Sequence, residues 1–296
     1  MKRMWFFAAI LVFAFSIMVQ AGSVGLTVND CGISFGNSRR LSGLRINLVD
    51  KNVRNVNGLN ITFWGPDKNP NFVMNGLAIG VAAPAMERMN GVAIGGIAAA
   101  SHYLNGLALA GIGLAADDVN GIAIGGIGVG ADQFKGVAIG GIGVGADVIH
   151  GLVIGGIGAG AGEIEGLVIG GIGAGADRIK GIGIGGIGVG ADDIKGIMIG
   201  GIGVGGDKIS GLSIGGIGVG GDRLSGVQIA GIGVKGKELK GLAIAAYCHA
   251  TSDMIGVSIG VVNIARNLKG LQIGVINIAQ NNEAPFKVLP LFNYHK

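Results

Sequence analysis

Between Gly121 and Lys240 the chain repeats one 15-residue unit, for which Gly166–Lys180 (Gly-Leu-Val-Ile-Gly-Gly-Ile-Gly-Ala-Gly-Ala-Asp-Arg-Ile-Lys) serves as the type copy. So strict a period limits the fold severely, because whatever shape one copy adopts must stack on the next. Numbered from its first glycine, the copy is apolar at positions 2, 4, 7, 9, 11 and 14, here Leu167, Ile169, Ile172, Ala174, Ala176 and Ile179. Within 2–4 and 7–11 the apolar spacing is two, the period of a strand. The parity breaks at Gly170-Gly171 and again around Asp177. Helix is disfavoured, because glycine recurs up to six times per copy, at roughly 1 kcal/mol each against alanine. The pattern predicts an all-β fold, a β-solenoid (β-helix) of about 16 short Gly-rich rungs with irregular caps. A single rung buries too little to offset its own ordering, so the rungs must stack.

Alternation alone does not say which face is inside. The end repeats carry Arg45 and Asn47 at positions 3 and 5, then Ser258 and Gln272 at position 3, and Asn263 and Asn277 at position 8. Taking polar groups as solvated, positions 2, 4, 7 and 9 are expected to point inward and the glycines outward. Position 3 of the middle rungs, Ala138, Val153, Val168, Gly183 and Met198, is then an unusually apolar outer face. Asp132, Asp147, Asp177, Asp192, Asp207 and Asp222 fall at a corner, where Asp can accept from a nearby backbone N–H. Lys135, Lys180, Lys195 and Lys240 at position 15, with Arg178, Lys208 and Arg223 at position 13, are placed to offset their repulsion.

Four segments follow. Residues 1–21 read as a secretory signal peptide, with Lys2 and Arg3 ahead of an apolar centre and Val19-Gln20-Ala21 as the cleavage site. Residues 22–42 are polar and irregular, an N-terminal cap. Residues 43–283 carry the repeats, with an insertion at Gly65-Pro66-Asp67, and 284–296 break the period with Pro285, Phe286, Pro290 and Phe292, a C-terminal cap. The 63 glycines would suggest disorder if unpatterned; their periodicity favours order. Removal of Lys2 and Arg3 takes the formal net charge from +4 to +2, and with no basic stripe interleaved with aromatics, no nucleic-acid partner is expected. Cys31 and Cys248 would lie about 12 rungs apart and are expected to stay unpaired within one chain.

Several motifs invite a chemical reading. Gly128–Phe134 partly matches the calcium-binding nonapeptide, but its leading glycine is replaced by Ile127, and one Asp per rung is few ligands for calcium. Gly201–Gly206 and Gly216–Gly221 fit the dinucleotide fingerprint, which a glycine-rich repeat generates without a following helix. Tyr247-Cys248-His249 is the sharpest departure from the repeat. Adjacent strand residues face opposite ways, so Cys248 and His249 read as an altered rung rather than a catalytic dyad. His102, His150 and His295 are too scattered for a metal set. No catalytic, cofactor-binding or metal residue, no cofactor and no small-molecule substrate is predicted.

The end of the chain, Gly256-Val-Ser-Ile-Gly-Val-Val-Asn-Ile-Ala and Gly270-Leu-Gln-Ile-Gly-Val-Ile-Asn-Ile-Ala with the tail Leu289-Pro-Leu-Phe-Asn293, resembles a bacterial (spirochaete-type) surface-repeat family. The likeness covers about the last 40 residues; the central rungs carry Gly, as at Gly173 and Gly188, where the family has Asn. It implies an exported, surface-associated protein and brings no catalytic residues or cofactor. The expected function is therefore that of a non-catalytic structural or interaction protein at the cell surface or in the periplasm, working by self-association or envelope docking through flat Gly/Ala/Val faces. The alternative is an outer-membrane-embedded or membrane-associated β-protein, although up-and-down barrel strands predict a period about twice that observed.

Overall fold

The glycine that opens each repeat is what lets the chain coil. In the computed structural model, which describes residues 22–65 and 69–296, sixteen such glycines from Gly43 to Gly270 have φ between +104° and +145°. A Cβ on Gly166 would lie 2.1 Å from the carbonyl oxygen of Gly151 in the coil below. Only glycine tolerates both that φ and that approach. Each coil bends again at the Gly-Gly pair of positions 5 and 6, and the ladder to the next coil is interrupted at position 12. The segment 1–21, read as a signal peptide, and residues 66–68 of the insertion lie outside the described residues.

The described residues are all-β, with 19 strands, and form a β-solenoid of about 16 turns roughly 15 residues apart. It comprises two compact units, one up to Gly140 and one from Gly141 to Lys296. Within each unit successive coils pair in parallel and in phase, Gly166 on Gly151, Leu167 on Leu152 and Ile179 on Ile164 in the second. Parallel pairing is not the antiparallel ladder of a membrane barrel.

The N-terminal segment is more regular than its composition suggests. Strand β1 (Ser23–Val28) and strand β2 (Cys31–Gly36) form an antiparallel hairpin, and β2 pairs in parallel with the first full coil, Gly32 on Gly43. At the other end, Val288–His295 runs antiparallel along the coil beginning at Gly270 and closes the stack.

The facing of the strands is the reverse of the expectation along the first side of the coil. Positions 3, 9 and 14 carry the core: Val168, Ala174 and Ile179 are buried, as are Ile149, Ile164, Ile194 and Ile209 at position 14. Positions 2, 4 and 7 point outward, so of the four positions expected inside only position 9 is there. The glycines do not all face out either. Gly170 at position 5 is buried, and a Cβ on it would lie 1.9 Å from the Gly173 carbonyl across the corner. The interior is narrow and jigsaw-packed: Gly183 leaves room at position 3 for the buried thioether of Met198 on the next coil, 2.6 Å from where a Cβ would sit.

The polar residues that suggested an outer face are interior. Arg45 and Asp50 form a fully buried ion pair, and Asp50 also accepts from Asn47 (2.7 Å), Asn60 (3.2 Å) and Thr62 (2.7 Å). Arg45 donates further to Asn60 (2.8 Å) and Asn37 (3.0 Å). A buried charge persists when it is paired and hydrogen-bonded in this way, although the Arg45 Nε and the Asn47 Oδ1 are left without partners. In the second unit the buried Asn263 donates to Asn277 Oδ1 (2.8 Å) and to the Ile273 carbonyl (2.9 Å). Asn263 reaches the core because the corner at Tyr247 is one residue short: Cys248 pairs with Val234, and Asn263 with Cys248. The asparagines therefore continue the position-9 column and do not replace the position-8 glycines such as Gly173.

Candidate interaction surface

With positions 2, 4 and 7 turned outward, each coil from Gly91 to Lys240 presents three branched apolar side chains on its outer surface. In the second unit the position-7 residues Ile157, Ile172, Ile187, Ile202 and Ile217 are each 49–50 % exposed. Their backbones are fixed by a ladder along the corner, with Ile172 N–H donating to the Ile157 carbonyl at 2.6 Å and Ile187 to Ile172 at 2.6 Å. Ile182 and Ile197 at position 2, and Ile199 at position 4, extend the exposed apolar surface across the adjoining side. The first unit repeats the arrangement with Ile97, Ile112 and Ile127 at position 7, Ile122 at position 2 and Ile94 at position 4. No charged residue occupies these positions from Gly76 to Gly270.

From Gly76 to Lys240 charge gathers at positions 12 to 15, with Lys235 at position 10 the exception; some neighbouring coils match opposite charges, whereas others stack like on like, as Lys180 on Lys195. Arg178 donates to Glu163 (3.2 Å), Lys180 to Glu165 (2.6 Å) and Lys237 to Asp222 (2.7 Å), each pair 15 residues apart. The position-13 and position-15 bases thus meet glutamates of their own columns rather than the corner aspartates they were expected to offset, and Asp222 is paired instead by Lys237 at position 12. The bonded, charged Glu165 beside it holds Lys180 above the ordinary lysine range, and Lys180 holds Glu165 below its own. His102 sits between Asp117 (2.6 Å) and Glu87 (3.6 Å), and its pKa is raised first by the bond to Asp117 and then by the charge of Glu87.

The altered rung holds no assembled dyad. Cys248 is buried with its thiol directed at the Ala245 and Ile259 carbonyls, 3.8 Å from each, and burial pushes its pKa up to about 11. A thiol so raised is protonated at neutral pH and is a poor nucleophile. His249 lies on the other face, where its ring nitrogen meets the Tyr247 hydroxyl at 3.2 Å; burial, then Lys235, lowers its pKa. Across the coils His249 faces Lys235 and Ile264. Cys31 is exposed, and both cysteines are free.

A scan against protein-family models gives no match, and searches of curated proteins and of solved structures give none either.

Proposed function

We propose that this chain is an exported, non-catalytic structural or interaction protein of the cell surface or periplasm, and that it works through the apolar face of positions 2, 4 and 7. One observation carries the reading. Several consecutive coils in each unit hold half-exposed isoleucines in register, with the charge gathered mainly at positions 12 to 15. Scattered surface isoleucines need no explanation, whereas a contiguous patch rimmed by polar groups marks a contact surface. The face so proposed consists of Ile, Leu and Val at positions 2 and 4 and at the position-7 corner; the position-3 residues expected outside line the core instead.

The same geometry favours a second reading, association of this face with a lipid bilayer, since branched apolar side chains on a flat surface suit acyl chains as well as protein. Sedimentation velocity and vesicle flotation on the full chain, compared with Ile157→Gln/Ile172→Gln/Ile187→Gln/Ile202→Gln, separate the two. Self-association or envelope-fraction binding that the variant loses supports the first reading; flotation with pure lipid that the variant loses supports the second. A wild-type chain that stays monomeric and ignores both envelope and lipid removes both.

A further inference from the structure

Charges on neighbouring coils are paired with opposites at Glu87–His102–Asp117, Glu163–Arg178, Glu165–Lys180 and Asp222–Lys237. At the N-terminal end of the first unit like charges meet, as they also do at Lys180–Lys195 and Lys208–Arg223, but here they converge on a cavity. Arg54 N–H donates to the Arg39 carbonyl (2.8 Å) and Arg40 pairs with Asn55, so Arg39 and Arg54 occupy the same column on adjacent strands. Adjacent strands lie about 4.8 Å apart, where two like charges repel by roughly 1 kcal/mol in water. None of the guanidinium groups of Arg39, Arg40 and Arg54 has an acidic partner among the described residues.

The three arginines line one cavity of about 520 Å³, open to solvent, beneath the β1–β2 hairpin. The hairpin is amphipathic in an unusual sense. Its cavity-facing side is Ser23, Gly25 and Thr27 with the buried Ser34, whereas Val24, Leu26 and Val28, paired with Phe35, Ile33 and Cys31, face solvent. An apolar filling would demand the opposite arrangement. The Ser38 hydroxyl, also in the lining, is buried without a hydrogen-bond partner. Asp30 is the one carboxylate in the wall, against three guanidiniums.

We infer that this cavity is a binding site for a phosphate-type oxyanion, with Arg39, Arg40 and Arg54 supplying charge-assisted hydrogen bonds and Ser38 a hydroxyl. Planar guanidinium forks suit phosphate geometry, and a bound oxyanion turns the repulsion between Arg39 and Arg54 into shared attraction. A free phosphate monoester and a phospholipid headgroup offer the same chemistry. The site is independent of the apolar face.

The test uses the full chain, Arg39→Gln/Arg54→Gln, and Arg266→Gln as an exposed cation elsewhere. Calorimetric titration with inorganic phosphate at low ionic strength is expected to show saturable binding, weakened about tenfold or more in the double variant and unchanged in Arg266→Gln. Flotation with phosphatidylcholine vesicles with and without phosphatidic acid provides the second arm. A phosphatidic-acid-dependent increment that only the double variant loses, with no free phosphate bound, assigns the ligand to a headgroup and still supports the site. No phosphate binding in either arm, or equal loss in Arg266→Gln, overturns it. Far-UV circular dichroism checks that the double variant folds; if it does not, Arg40→Gln, expected to weaken binding in the same direction, replaces it.

Discussion

Replacing Gly181 by alanine tests the stacking principle directly. Gly181 has φ +132°, and a Cβ there would lie 2.0 Å from the Gly166 carbonyl oxygen. Holding a non-glycine residue in that region costs about 1–3 kcal/mol. Relieving the contact parts two coils by about 1 Å or more and weakens two or three ladder hydrogen bonds, at about 1 kcal/mol each. The sum is about 3–6 kcal/mol, concentrated at one junction. The matched control is Gly175→Ala: its Cβ would sit 3.7 Å from the Gly190 carbonyl with no positive φ, so the change is expected to be neutral or stabilising by about 0.4–1 kcal/mol. Native-state hydrogen exchange read by mass spectrometry is the suitable assay, because a stacked array opens locally rather than all at once. Protection of amides in 176–190 should fall by about 10²- to 10⁴-fold in Gly181→Ala and hold or rise in Gly175→Ala. Equal protection in the two variants would refute the reasoning.

Three further outcomes are expected. Val168→Asp, which places a charge in the core, should destabilise by about 4 kcal/mol or more, and Leu167→Asp next to it by about 1 kcal/mol or less; urea unfolding that ranks them the other way restores the inside-out arrangement. Maleimide at pH 7.5 should label Cys31 in the native chain and reach Cys248 only after denaturation, so rapid native labelling of Cys248 contradicts its burial and raised pKa. The folded pKa of His102 lies above its ordinary value, so its contribution to stability is complete below pH about 6.5 and lost as pH rises through the folded value. An imidazole NMR titration should show the midpoint falling in Asp117→Asn, and an unmoved midpoint contradicts the assignment.

The solenoid and its coil length were legible because a 15-residue period in glycine and branched apolar residues leaves few other solutions. The facing of the strands was not. Treating Arg45, Asn47, Ser258 and Gln272 as solvated is sound for isolated polar groups, but Arg45 and Asn47 are buried within a hydrogen-bonded network around Asp50 that leaves only the Arg45 Nε and the Asn47 Oδ1 without partners. The better signal was size. Position 3 is mostly Ala or Val from Ala78 to Val168, and position 2 is consistently Leu, Ile or Val. A coil of 15 residues encloses too little space for the larger set. The one-residue slip that brings Cys248 and Asn263 into the position-9 column was also hidden, because the glycine spacing from Gly226 to Gly256 holds at 15 while the register changes inside the coil. The arginine cavity left no periodic trace, since it forms where an irregular hairpin meets the first coil.

The in-phase register makes the number of coils a free variable. Excising residues 181–195 would seat Gly196 on Gly166, and every other residue of the coil on its own counterpart, because the sequence on either side of the cut is the same unit. The coil from Gly256 to Gly270 already runs one residue short and still ends glycine on glycine, with the slack absorbed away from the apolar columns. A gene that gains or loses whole repeats of the second unit therefore changes the height of that unit's stack, in steps of about 4.8 Å, while leaving the chemistry of its columns untouched.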